Sequence, residues 1–195
     1  MPGQGRLIVL SGPSGSGKST VVQRLLAAGD LPLRLSVSAT TRPPRPGEED
    51  GKQYWFWTPE RFDRGIAEGE FLEWTQLFGH RYGTLKSEVE PYLQRGIHVL
   101  LEIDVHGAEA IRRQFPQAVL VFLKTPSLAE YERRLRLRGT EDEAAIQRRL
   151  ERAVAELAAA PRYDYQIVND DLDQTVREFR RLIEGLGECG PCTTS

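Results

Sequence analysis

The sequence predicts an α/β fold: a phosphate-loop core whose mostly parallel central sheet is flanked by helices, with a strand-rich insertion and a helical lid. Three observations predict it. Short apolar runs alternate with amphipathic helical stretches along the chain, the pattern of a largely parallel sheet. "IHVLLEIDV" and "AVLVFL" are apolar on both faces, as central parallel strands are. A glycine-rich loop stands between the first apolar run and the first helical stretch.

The elements follow in order. "RLIVLSG" is an apolar run stopped by glycine, a buried strand. "KSTVVQRLLAAG" has helical spacing and ends at Gly29. "LRLSVS" alternates like a strand. "TTRPPRPGEED" fits neither element, and "YWFW" after it is strand-like. In "TPERFDRGIAEG", Thr58 is placed to cap a helix with Pro59 at its first position and Gly69 past its end. "EFLEWTQLFG" alternates again. "LKSEVEPYLQRG" is helical in pattern, with Pro91 predicting a late start or a kink. "SLAE" (Ser127 to Glu130) and "TEDE" (Thr140 to Glu143) are capping boxes that each start a helix. "YQIVN" is a last short strand and "LDQTVREFRRLIEGL" a closing amphipathic helix. The middle section is richer in strands and reads as an insertion.

Composition bounds the function. The chain has 195 residues, 39% hydrophobic and 28% charged, which suits one sizeable folded domain. A formal charge of -2 argues against nucleic acid as the main partner. No apolar run nears the roughly 18 residues of a membrane span. The N-terminus lacks a charged leader and cleavage pattern, and the only cysteines are Cys189 and Cys192, so a cytoplasmic protein is expected.

Gly12, Pro13, Ser14, Gly15, Ser16, Gly17, Lys18 and Ser19 match G-x-x-x-x-G-K-[ST] in full, with Thr20 next. Glycines let successive N–H groups curl around a phosphate, and the following helix adds its positive end. Lys18 is placed for the β and γ phosphates and Ser19 for Mg²⁺, so the loop points to ATP or another nucleoside triphosphate. Glu102 and Asp104 close the apolar run "HVLLEID" at the sheet edge where ligands bind in such folds. Spaced by two on a strand, their carboxylates are expected on one face, and Asp104 is a candidate to order the metal's shell.

"YERRLRLRGTEDEAAIQRRLERA" carries Arg133, Arg134, Arg136, Arg138, Arg148, Arg149 and Arg152. Gly139 and Thr140 break it into helix, turn, helix, the form of a mobile flap. Guanidinium groups in a water-excluded site stabilise a transferring phosphoryl group. In "TTRPPRPGEEDGKQYWF", Arg42 and Arg45 make a second cationic cluster, which implies a phosphorylated acceptor. Tyr54 and Tyr82 are candidate phenol donors beside it.

"GPSGSGKST", "SVSATTRPPRPGEEDGKQYWF", "FLEW", "YGT", "LLEIDVHGA" and "LRLRGTEDE...RRL" together resemble the guanylate kinases, from Arg6 to about Leu186. The resemblance implies phosphoryl transfer from ATP to GMP, and to dGMP, with Mg²⁺. It implies a core of residues 1–37, 96–125 and 150–195, a GMP-binding subdomain 38–95 and a lid 126–149. Ser38, Arg42, Arg45, Tyr54, Glu73, Tyr82, Thr84 and Glu102 would contact GMP. Lys18, Arg134, Arg138 and Arg149 would act on the phosphates, and Asn169 would lie near the adenine. A Glu73 carboxylate suits guanine, whose N1–H and N2–H₂ both donate. The GMP phosphate is largely a dianion at pH 7, so no catalytic base is required. Both insertions are expected to close over the core.

His106 stands where the family pattern has glutamine, and "ECGPCTTS" has no counterpart. A lone C-x-x-C is half of a four-ligand zinc site, so free thiols are expected. Two rivals stay open on these residues: a kinase of the same build with another acceptor, and a guanylate-kinase-like binding module of scaffold proteins.

Overall fold

A computed structural model describes residues 4–77, 79–137 and 143–188. The chain divides into two compact units. One comprises mainly Pro32–Leu101 and His106–Ala118; the other comprises Ile8–Leu31, Glu102–Val105 and the chain from Val119 onward.

The first strand, β1 (Leu7–Ser11), is buried throughout, as a strand covered on both faces must be. The phosphate loop leads from it into α1 (Lys18–Ala27), which ends before Gly29 at φ 67°. Next come β2 (Leu33–Leu35), β3 (Ala39–Thr40) and β4 (Trp55–Phe56). Helix α2 (Pro59–Ala67) starts as predicted: the Thr58 side chain accepts from the Arg61 N–H at 3.2 Å and Pro59 opens the first turn. Strands β5 (Phe71–Leu77) and β6 (His80–Leu85) follow. Of the two outcomes allowed by Pro91, the structure takes the late start. A one-turn 3-10 helix, Lys86–Glu88, precedes α3 (Glu90–Gln94), with Pro91 in its first turn.

Strand β7 (His98–Glu102), helix α4 (Val105–Gln114) and strand β8 (Val119–Lys124) come next. Helix α5 (Leu128–Leu137) is capped by Ser127, whose hydroxyl accepts from the Glu130 N–H at 3.2 Å. Helix α6 (Glu143–Leu157), strand β9 (Tyr165–Val168) and helix α7 (Leu172–Glu188) follow. The predicted cap at Thr140, with Arg138, Gly139, Cys189 and Cys192, lies outside the described residues.

The strand order in the main sheet is β2-β7-β1-β8-β9, and the pairs β2–β7, β1–β8 and β8–β9 are parallel. Order reverses across β1: the chain leaves it toward β2 and later returns to β8 on its other side. The carboxyl end of a strand at such a reversal is where ligands bind in open α/β sheets. In the second unit, Val105, Phe122, Ala159 and Ala160 form an apolar cluster with Leu157 and Tyr163 against it.

The first unit carries a separate four-stranded sheet, β4-β3-β6-β5, in which β3–β6 and β5–β6 are antiparallel. Its core is Ala39, Phe62, Phe71 and Leu85, packed by Trp55, Trp57 and Ile66. The Phe62 and Phe71 rings stack with centroids 4.5 Å apart. This core accounts for part of the aromatic run after the charged segment, since Trp55 and Trp57 pack against it.

Candidate active site

The loop after β1 is shaped by glycine. Gly12, Gly15 and Gly17 have φ of 147°, 97° and 93°, a region that side chains disfavour. A Cβ on Gly12 would also collide with the Leu123 carbonyl. Lys18 turns back over the loop, its Nζ donating to the carbonyls of Gly12 at 2.6 Å and Pro13 at 3.2 Å. Gly17 opens α1 without a side-chain cap, so the helix end presents main-chain N–H groups where an anion is favoured.

The Ser19 hydroxyl donates to Glu102 Oε1 at 2.6 Å. Strand β7 ends at Glu102, so Asp104 lies beyond it and the two-residue strand period does not extend to its carboxylate. Asp104 instead faces α6, with its Oδ2 3.8 Å from Arg152 Nη2. Ser19 and Glu102 supply oxygen donors only, which suits a hard cation. Among the described residues no cluster of three or more His, Cys, Asp or Glu could hold a metal by itself. Mg²⁺ does not require one, since it commonly takes one or two protein oxygens and the nucleotide's phosphates.

The arginine-rich segment divides into two sets. Arg133 is paired to Glu130 at 2.7 Å, and Arg136 to Glu132 at 2.8 Å and Glu143 at 2.6 Å; these are surface ion pairs. Arg134 points inward. Its Nε donates to Glu130 at 2.6 Å and its Nη2 to the Asn169 carbonyl at 2.8 Å. Between them Arg133 and Arg134 hold the Glu130 carboxyl at about 2, so this acceptor stays ionised. Arg149, on α6, reaches the loop, with Nη1 3.3 Å from Ser14 Oγ. The structure thus brings Arg134 and Arg149 to the loop or its neighbours. Arg138 lies outside the described residues.

The acceptor candidates lie in the first unit except Glu102, which belongs to the second and accepts there from Ser19. Glu73 on β5 is 6% exposed and accepts from the Thr84 hydroxyl on β6 at 2.7 Å. A register shift between Phe71 and Glu73 produces this pairing, with Phe71 opposite Leu85 and Glu73 opposite Thr84. The bulge explains why three successive residues, Phe71, Leu72 and Glu73, are all buried where plain alternation would expose one. Tyr54 and Tyr82 meet edge to face with centroids 5.9 Å apart, and the Arg42 guanidinium lies 5.5 Å from the Tyr54 ring. The Ser38 carbonyl accepts from the Trp55 N–H at 2.9 Å, tying the start of the charged segment to β4.

One residue that sequence reasoning left without a role ties this cluster together. Glu48 Oε1 accepts from Arg42 Nη2 at 2.9 Å, and Oε2 accepts from the Arg45 N–H at 2.7 Å. Pro46 and Gly47 (φ 84°) form the turn between, closed by the Glu48 N–H on the Arg45 carbonyl at 3.0 Å. Burial pushes the Glu48 carboxyl up, but the Arg45 N–H and the Arg42 guanidinium outweigh this and hold it below its usual range. The only signal in the sequence was the spacing: an acid three residues after Arg45 and six after Arg42.

A phosphate loop at the reversal point of a parallel sheet, an arginine-bearing helical pair beside it, and a second cationic cluster define a phosphate-loop kinase of the nucleoside monophosphate class. Comparison with known proteins narrows the class. The guanylate kinase family model matches residues 4–186. A guanylate kinase from Rubrobacter xylanophilus is 50% identical over 190 residues, covering 95% of this chain and 99% of that protein. One from Parasynechococcus marenigrum is 51% identical over 183 residues, covering 94% and 100%. The crystal structure of guanylate kinase from Anaplasma phagocytophilum superposes with a TM-score of 0.79 at 32% identity, covering 96% of this chain and 88% of that one. The chain belongs to the guanylate kinase family.

Proposed function

We propose that this chain transfers the terminal phosphoryl group of ATP to GMP, and to dGMP, with Mg²⁺, in the cytoplasm. One observation carries the choice of acceptor: a buried carboxylate, Glu73, held by Thr84 on a sheet whose strand β3 ends two residues before Arg42. Guanine offers two donors on one edge to such a carboxylate, whereas adenine presents an unprotonated N1 there. Ser38, Tyr54, Tyr82, Arg42 and Arg45 complete the proposed GMP set, with Glu102 near the nucleotide. On this proposal residues 38–95 form the GMP-binding subdomain and residues 126–149 the lid.

On this reading the protein's own groups act by position and charge. GMP's phosphate is already nucleophilic at neutral pH, so no side chain removes a proton. Lys18 and the loop N–H groups hold the donor phosphates, and Arg134, Arg138 and Arg149 offset charge on the group in transfer. Ser19 is the protein ligand proposed for Mg²⁺, with Asp104 proposed to order its shell; bound there, the ion would supply charge neutralisation. Among the described residues no helix is long and apolar enough to cross a membrane.

The test is ADP formation from ATP and Mg²⁺ with GMP, dGMP, AMP, UMP, dTMP and ribose phosphates offered separately. Turnover with GMP and dGMP alone is expected, and chelation should abolish it. Turnover with a different acceptor would overturn the assignment of Glu73. GMP binding without any turnover would make the chain a binding module.

A further inference from the structure

Asn169 follows β9 and is 4% exposed. Its Nδ2 donates to the Ser16 carbonyl at 2.7 Å, which fixes the amide's orientation: turned over, its oxygen would face another carbonyl oxygen. Its Oδ1 is 3.2 Å from the Thr175 hydroxyl, which is also 2.7 Å from the Asp171 carbonyl. Asn169's own N–H donates to the Lys124 carbonyl at 2.7 Å, at the end of β8. Its carbonyl accepts from Arg134. One residue therefore joins the sheet, the phosphate loop and an inward-pointing arginine.

The loop is built around that amide. A Cβ on Gly17 would collide with Asn169 Nδ2, a second reason besides φ for glycine there. The Ser16 carbonyl and the Gly17 N–H belong to one trans peptide plane and point in opposite directions. Holding the carbonyl toward Asn169 consequently aims the Gly17 N–H the other way, as a donor for an anion.

We infer that Asn169 is a positioning residue that sets the loop's N–H groups and Arg134 in one register, and so acts on the donor's phosphates rather than its base. This rests on the donor-site reading above and departs from the adenine contact that the family resemblance implied.

The experiment compares wild type with N169D, which matches the amide in size but sets an acceptor against the Ser16 carbonyl. N169S serves as a second variant should N169D fold poorly. ATP, inorganic triphosphate and GMP are each titrated by calorimetry, with thermal unfolding in parallel. ATP and triphosphate are expected to weaken by the same factor, roughly five- to fiftyfold for a lost buried hydrogen bond, with GMP affinity unchanged. Weakening of ATP alone would mean a base contact and overturn the inference. So would unchanged binding of both, or equal weakening of all three ligands together with a lowered melting temperature. Failure of the functional reading is separate: wild type would then bind ATP and triphosphate yet phosphorylate no GMP.

Discussion

Replacing Glu48 by glutamine tests how the acceptor's phosphate clamp is held. The substitution keeps shape and removes charge. An amide has a single acceptor oxygen, so it can keep the bond from Arg42 Nη2 or the one from the Arg45 N–H but not both. Loss of one hydrogen bond to a charged group costs about 1.5–3 kcal/mol. Arg42 and Glu48 side chains are 11% and 18% exposed, so solvent screening trims this to about 1–2 kcal/mol. Roughly a five- to thirtyfold rise in the KM for GMP follows, with the KM for ATP unmoved. The assay is steady-state ADP release at saturating ATP across a GMP series. Because the Glu48 carboxyl is held below its usual range, the wild-type clamp is intact at neutral pH and weakens only as pH falls through that lowered value. An unchanged KM would refute the orienting role. A lowered KM would show that Glu48 competes with the phosphate for Arg42.

Three further perturbations reach other parts of the molecule. Glu73→Gln should cut the preference for GMP over AMP ten- to a hundredfold, because a carboxylate that accepts twice becomes an amide that accepts once; a preference left untouched would remove Glu73 as the base reader. His98 is buried and its Nδ1 accepts from the Arg6 N–H at 2.8 Å, and burial first, then Arg6, push its pKa down. The unfolded chain takes up a proton near pH 6.5 that the folded chain refuses, so stability should be whole above that pH and fall by up to about 1.4 kcal/mol per unit below it. Urea midpoints at pH 7.5 and 5.5 for wild type and His98→Gln would show this, and identical slopes would exclude His98 as the source. Gly83→Ala places a Cβ 2.6 Å from Phe71 Cδ1 and 3.1 Å from the Glu73 carbonyl, and should cost about 1–3 kcal/mol in urea unfolding.

What the sequence made legible was what neighbouring residues decide among themselves. The phosphate loop is contiguous, so its glycines, Lys18 and Ser19 read directly. The Thr58–Pro59 helix start and the late start forced by Pro91 are also local events. Features set by a distant strand or helix stayed hidden. "YWFW" has the composition of a four-residue strand, yet β4 keeps two residues: Tyr54 bridges to Asp50 instead, and Trp57 precedes the Thr58 cap. The bulge that buries Glu73 depends on its pairing with β6. The arginine segment reads as uniformly basic, and only the tertiary positions of Glu143 and Asn169 separate surface-paired Arg136 from inward Arg134. Asp104 looked like a strand residue because nothing in "EIDVHG" marks β7 as ending at Glu102.

Helix α1, which follows the phosphate loop, and helix α7 are tied to one another. Arg24 on α1 meets Asp173 on α7 at 3.2 Å, Arg180 on α7 meets Asp30 at 2.5 Å, and Phe179 between them is fully buried. Closing that pairing spans most of the chain, a long loop whose entropy must be overcome before its contacts form. The unit built mainly from Pro32–Leu101 and His106–Ala118 can gather most of its contacts as synthesis passes its midpoint. The unit that carries the phosphate loop cannot be finished until α7 has emerged from the ribosome. A nascent chain thus acquires its phosphate loop early in sequence but the pairing that braces the following helix only late in time.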